Sequence, residues 1–178
     1  MKNKILVTAL LVLVLCVSCN SEKGLEWFKG EVENVTPVNP NVHSSYFELS
    51  GVDGTIVPKN YLDLPKNLVI PLVVEDVNVT KVTECFECLV EYLTVPGGIT
   101  VGVNCFADCE QLNTIVLSSG VVSVEDAAFA DCPALQRVVV NCSFSAVSSA
   151  AFSSDCMAQF EYGGNTYDGF VNFKNQSL

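Results

Sequence analysis

Apolar residues in the second half of the chain return to the same columns at an offset of 23 positions. Phe106, Phe129 and Phe152 fill one column, and Val101, Val124 and Val147 another. The pairs Asp108/Asp131, Cys109/Cys132, Leu112/Leu135, Ile115/Val138 and Leu117/Val140 keep the same phase. A fixed period of this length signals a repeat architecture, in which each copy is one supersecondary unit. Within Leu112–Cys132, the run Leu112-x-x-Ile115-x-Leu117 alternates as a short strand with one buried face. Gly120 permits a turn, and Val121 and Val124 point back inward. The small-residue run from Ala127 to Cys132 suits a short helical or 3₁₀ turn, with Phe129 reaching the centre. One such unit cannot bury its own apolar face, whereas stacked copies share a continuous core. The pattern therefore predicts a repeat solenoid.

Five strand pieces follow from it: Leu68–Ile70, Leu93–Val95, Ile115–Leu117, Val138–Val140 and Phe160–Tyr162. Irregular spacing at the ends is expected, because terminal repeats have a neighbour on one side only. Upstream, Ser45–Pro58 places apolar alternation on both sides of Gly51-Val-Asp-Gly54, which predicts a hairpin. Lys59–Lys66 is a connector or helical turn, with Pro65 against a longer helix. At the other end an aromatic strand, a Gly163-Gly164-Asn165 turn and a second aromatic piece predict a capping hairpin.

The N-terminus breaks the pattern. Lys2 and Lys4 precede an apolar run, Ile5–Val17, that is short for a membrane span and ends at Ser18-Cys19. This is expected to be an export signal. Its end resembles a bacterial lipobox, with Cys19 as the lipidated residue and Cys16 where leucine is usual. Acyl chains on Cys19 would hold the protein to a membrane with no spanning element. The expected organisation is signal 1–19, extended tether 20–44, N-terminal cap 45–66, repeats 67–162 and C-terminal cap 163–178. Pro37 and Pro40 punctuate the tether, and Trp27 and Phe28 within it are expected to pack on the end of the repeats.

Composition narrows the partners. The 178 residues carry a net charge of −11. Without Lys2 and Lys4, seven basic residues face 20 acidic ones, a net −13. Such a surface cannot replace counterions along a phosphate backbone, so no nucleic acid is expected. Nor does it favour docking on anionic lipid, which leaves the lipid anchor as the only membrane attachment.

The columns also fit a known pattern. Val124-Glu-Asp-Ala-Ala128-Phe129-Ala-Asp-Cys132-Pro-Ala-Leu135-Gln-Arg-Val138-Val-Val140 resembles the BspA-like, or Treponema pallidum type, leucine-rich repeat. Val101–Leu117 fits as well, with Cys105 where alanine is usual. The proline after the strand is present at Pro71 and Pro96 and replaced by Ser118 and Asn141 later, and Cys156 is displaced by one residue. The resemblance spans roughly 68–162. It implies an α+β leucine-rich-repeat solenoid, a right-handed stack of about 23-residue units between N- and C-terminal β-hairpin caps. With the lipoprotein-like signal, it also implies a Bacteroidetes- or spirochaete-like envelope protein, a family context that includes surface adhesins.

Nine cysteines and one histidine are the remaining chemistry. Cys105 and Cys109 fill repeat columns, and Cys132 and Cys156 continue the second, so core thiols are the preferred reading. Disulfides, or zinc at Cys85-x-x-Cys88 with Cys105-x-x-x-Cys109, are the alternatives. Cys142, just past a strand, is expected to be the exposed thiol. Asp108, Asp131 and Asp155 precede repeat cysteines and suit turns bonded to nearby backbone. His43 lies in a polar stretch with no companion, and no P-loop, dinucleotide-binding or nucleophile-elbow pattern is present. No enzyme activity, cofactor or metal is expected.

Residues alternating with the buried strand positions should line a concave sheet: Tyr92, Thr94, Thr114, Val116, Arg137, Val139, Gln159 and Glu161. Arg137, the only arginine, is the first residue to test there. The function expected is recognition of an exterior protein or glycan, with host-matrix adhesion included, by a lipid-anchored protein at the outer-membrane surface. A structural, periplasm-facing envelope lipoprotein is the alternative.

Overall fold

The structure, a computed structural model, describes residues 41–175. Contacts separate Met1–Asn39 from Pro40–Leu178, and the described residues lie in the second unit. The signal, Cys19, Trp27, Phe28, residues 20–40 and residues 176–178 fall outside the described residues.

The chain enters through a hairpin, β1 (Phe47–Leu49) and β2 (Thr55–Pro58). It is antiparallel, with Glu48 opposite Val57, and turns through Gly51 and Gly54, both at positive φ. A 3₁₀ turn, Tyr61–Asp63, follows; the Leu62 amide donates to the Asn60 side chain at 3.1 Å, an N-cap. Then come β3 (Asn67–Val69), a small hairpin of β4 (Val73–Val74) and β5 (Val77–Asn78), and β6 (Lys81–Val82). From there the strands alternate long and short: β7 (Tyr92–Val95), β8 (Thr100–Val101), β9 (Thr114–Leu117), β10 (Ser123–Val124), β11 (Arg137–Val140) and β12 (Gln159–Tyr162). β13 (Asn165–Asp168) and a short helix, α1 (Phe170–Lys174), close the chain.

These strands form two ladders. β3, β7, β9, β11 and β12 pair in parallel, and β13 adds antiparallel to β12. Each of the five expected strand pieces lies in this first sheet. In register, Leu68, Leu93, Ile115, Val138 and Phe160 make one inward column, every member almost fully buried. The second sheet runs β1-β2-β6-β8-β10, parallel from β2 onward. Its inward column is Ile56, Val82, Val101 and Val124, extended by a bridge to Val147. The three central short strands have two residues each, too few for alternation to show in a sequence. The valine column at positions 101, 124 and 147 is their only trace.

The third side is a series of tight corners. Phe106, Phe129 and Phe152 stack there, with ring centroids 5.7 and 5.1 Å apart and planes within 23°. Amide-to-carbonyl bonds between rungs run beside them, Phe106 to Ala128 at 2.8 Å and Phe129 to Ala151 at 2.9 Å. Asn104, Asp108, Ala127 and Asp131 hold these corners at φ of 52–56°. Asn and Asp tolerate this left-handed region better than most residues. The corners are turns rather than helices, and α1 in the cap is the one α-helix among the described residues. In sequence Cys85-Phe86-Glu-Cys88 resembles Cys105-Phe106-Ala-Asp-Cys109, which predicts Phe86 in the same column. Phe86 instead is 42% exposed and packs on Tyr61 with centroids 5.4 Å apart. Its loop is one residue shorter, with Glu84 and Glu87 at positive φ, which turns the ring out toward the N-terminal cap.

Both ends are covered. The hairpin β1–β2 closes the second sheet. The open edge of β3 meets His43, whose Nδ1 accepts the Val69 amide at 2.9 Å. Asn41 Oδ1 accepts the Leu72 and Val73 amides. Residues 41–44, assigned from sequence to the tether, thus lie against the first rung. At the far end the expected hairpin is β12–β13, but the second aromatic piece is α1 rather than a strand. Gly169, at φ 83°, starts it, and Phe170 and Phe173 pack on Phe152 and Phe160 with centroids 5.0–5.6 Å apart. Gly102 serves a close approach: a side chain there would meet Thr83 and the Lys81 stem within 3.0 Å, and Lys81 passes over it to bind Glu125 at 2.8 Å.

Phe129 touches a ring on either side, so Phe129→Ala opens a cavity in the middle of the stack. The expected loss is about 3–5 kcal/mol, seen as a lower urea midpoint. An unchanged midpoint would contradict a core built on the phenylalanine column.

Candidate binding face

The strand pairing that buries one set of side chains fixes the other. Tyr92, Thr114, Arg137 and Gln159 align across β7, β9, β11 and β12, as do Thr94, Val116, Val139 and Glu161. The eight residues named from alternation therefore form two straight rows on the outward face of the first sheet. Asn67 and Val69 begin these rows on β3, and Asp168 and Thr166 end them on β13. Tyr92 is half exposed and Gln159 exposed; the other six are partly covered by their neighbours.

The rows differ in chemistry. One carries Val69, Thr94, Val116 and Val139, an apolar stripe interrupted by a single hydroxyl. The other carries Tyr92, Thr114 and Arg137. Across them runs a bidentate ion pair: Arg137 Nε donates to Glu161 Oε1 at 2.6 Å and Nη2 to Oε2 at 2.9 Å. This fork–fork geometry fixes the guanidinium plane against the sheet. Arg137 is thus a built part of the face, with its charge directed at a neighbouring strand. Thr114 Oγ1 donates to Asn113 Oδ1 at 2.9 Å, which orients the hydroxyl beside it.

The other candidates sit elsewhere. Cys85, Cys88, Cys105 and Cys109 are fully buried, and Cys132 and Cys156 partly so. Cys142 is buried as well, at 4% exposure, which corrects the expectation of an exposed thiol. Its strand ends at Val140, but the inward alternation of Val138 and Val140 continues to Cys142, with Asn141 and Ser143 exposed on either side. Burial raises the Cys142 thiol above its ordinary value, and burial raises Cys132 to about 12. Among the described residues no group of three or more His, Cys, Asp or Glu is arranged to hold a metal ion. Asp108 and Asp131 occupy corner positions at positive φ. The Asp131 carboxylate is bonded to the Ser153 hydroxyl at 3.1 Å, a side-chain partner on the next rung rather than the nearby backbone expected. Asp155 lines a surface cavity of about 410 Å³ with Asp131, Cys132 and Met157. His43, by contrast, had no role legible in sequence, because its partner lies 26 residues away.

Stacked rungs with a long strand on one side and corners on another define a leucine-rich-repeat solenoid. The family model for the BspA type leucine rich repeat region matches residues 80–175 in six copies. The chain belongs to this family. The match starts just after the β4–β5 hairpin and runs through the C-terminal cap, later at both ends than the span recognised from columns. No curated protein and no solved structure matches the chain. Membership supports protein–protein interaction as the general role of the repeats.

The Arg137–Glu161 pair is about one-quarter to one-third exposed. A double-mutant cycle of Arg137→Met and Glu161→Gln should give a coupling of about 0.5–1 kcal/mol, falling with added salt. Urea denaturation of the four proteins measures it, and a coupling of zero would mean that the pair adds nothing to stability.

Proposed function

We propose that this protein is a recognition module that presents the outward face of its first sheet to a protein partner outside the cell, held at the envelope by acyl chains on Cys19. The observation that carries the reading is the pair of in-register rows. They form a continuous parallel surface with an apolar stripe, a half-exposed tyrosine and an orientated arginine–glutamate pair. Tyrosine and arginine are the residue types that most often carry interface energy, and extended solenoid surfaces recur as binding sites. The acidic balance of the chain favours a partner with basic groups around an apolar centre. Host-matrix proteins belong to the range of partners that such a face suits, and a glycan ligand would use the same tyrosine.

Three measurements test this. Purified protein is applied to immobilised matrix proteins and to a glycan panel. Tyr92→Ala and Val139→Asp should each weaken whatever binding is found at least tenfold, with the circular dichroism spectrum unchanged. Binding that survives both substitutions would move the site off this face. Labelled fatty acid should enter the wild type in cells and not Cys19→Ala. Protease added to intact cells should remove the protein; survival would favour the periplasm-facing structural role instead.

A further inference from the structure

Cys88 and Cys109 stand at matching corners of consecutive rungs, just before β7 and β9. Their sulfur atoms are 2.9 Å apart, and both side chains are almost fully buried. The corners are tied beside them, since the Glu87 amide donates to the Ala107 carbonyl at 2.9 Å. Rungs stacked in register lie roughly 4.8 Å apart, within the window of about 4.4–6.8 Å between α-carbons that a disulfide spans. The other thiols of the column have different partners. Cys132 Sγ donates to the Phe106 carbonyl at 3.2 Å; Cys85 Sγ donates to the Thr83 carbonyl at 3.6 Å and has the Cys105 thiol, not Cys88, as its hydrogen-bonding thiol neighbour. Cys109 Sγ also lies 3.5 Å from the Cys85 carbonyl.

From this geometry we infer that Cys88 and Cys109 are a dithiol pair that closes into a cross-rung disulfide when the folded chain meets a disulfide oxidant. The order of events follows from the pair's asymmetry. The contact with Cys88, and then burial, holds the proton on Cys109; the same contact lowers Cys88 and makes it the readier thiolate. Cys88 also lines an open surface cavity of about 480 Å³ with Glu87, Leu89, Asp108, Glu110 and Gln111. A small disulfide RS–SR entering there meets the Cys88 sulfur on local opening of the corner, since the closed rung leaves the residue 1% exposed. The Cys88 thiolate attacks one sulfur, forming a mixed disulfide and releasing RS⁻. The released RS⁻ takes the Cys109 proton, and the Cys109 thiolate attacks Cys88 Sγ, which breaks the mixed bond and releases the second RS⁻. Two cysteine thiols are oxidised by two electrons, and RS–SR is reduced to two thiols. Three carboxylates around the cavity, those of Glu87, Asp108 and Glu110, disfavour an anionic oxidant. The bond would enclose residues 89–108 and join the β7 rung to the β9 rung. That restrains the unfolded chain at the cost of drawing the two sulfurs together by about 1 Å in the folded one.

The test uses reduced, full-length protein and the uncharged 2-hydroxyethyl disulfide, with and without urea. Remaining thiols are alkylated and the chain is cut after glutamate. Cleavage after Glu87, Glu91 and Glu110 places Cys88 on peptide 88–91 and Cys109 on peptide 92–110. The native reaction should give 88–91 joined to 92–110, lighter by two hydrogens than the separate peptides, and fragmentation should assign Cys109 rather than Cys105. In urea the partners should scramble. Recovery of 88–91 alkylated, its linkage to any other cysteine, or the same product mixture with and without urea would overturn the assignment. Cys132→Ser should keep the link and Cys109→Ser should lose it. The oxidised wild type should show a higher urea midpoint than the reduced form, and equal midpoints would refute the bond's role as a restraint.

Discussion

A rung of this solenoid has too little interior to be stable alone. It offers the core a few side chains from a long strand, one from a short strand and a ring from the corner. Only the next rung supplies the other wall. Everything else depends on that vertical contact: Leu93 on Ile115, Val101 on Val124, Phe106 on Phe129. The ring pairs add about 0.5–1.5 kcal/mol each beyond their burial, and the ladder bonds between rungs satisfy the backbone that burial would otherwise strand. Because each contact is with a neighbour in space and near in sequence, stability is close to a sum over interfaces.

The same dependence makes the ends costly. A terminal rung exposes one apolar wall and one row of unpaired strand amides. The two ends solve this differently. At the first rung the backbone problem is met by polar side chains, Asn41 and His43, and the second sheet is closed by β1 and β2. At the last rung the apolar problem dominates, and α1 folds Phe170 and Phe173 over Phe152 and Phe160. Lys174 then donates to the Val147 carbonyl at 2.7 Å and lies 4.0 Å from the Phe144 ring, which fixes the helix end. Partial burial lowers its amine from the ordinary value.

Legibility in the sequence followed the length of the element. Four-residue strands carry two inward and two outward positions, so alternation marked β7, β9, β11 and β12 and, with them, the eight outward residues. The two-residue strands leave one valine each, so beyond the predicted hairpin of β1 and β2 the second sheet was visible only as a column. Equivalence by motif failed at Phe86, where one missing residue turned the ring outward, and the exposed placing of Cys142 failed because the inward alternation runs two residues past the end of the strand. His43 and Arg137 show the harder limit. Both gained their roles from partners more than 20 residues distant, and a one-dimensional pattern does not contain such contacts unless the partners share the repeat. Glu161 does share it, since it occupies the outward position next to Phe160; the pairing was available from register once the strand set was known.

Repetition also decides where specificity can reside. Inward columns repeat because each rung must fit its neighbours, and the corner residues repeat because each corner must take the same left-handed step. A partner that bound only repeated features would bind at every rung with no preferred register. The outward rows repeat least: Tyr92, Thr114, Arg137 and Gln159 are four different residue types in one row. Valine at positions 116 and 139 keeps the middle of the neighbouring row uniformly apolar. On the proposed reading, such a surface would supply desolvation from one row and address from the other. The arginine–glutamate pair ties the two rows together, because Glu161 stands in the row of the valines. Held by its neighbour, the guanidinium keeps one plane against the sheet, so less side-chain freedom would be lost there if the proposed partner bound.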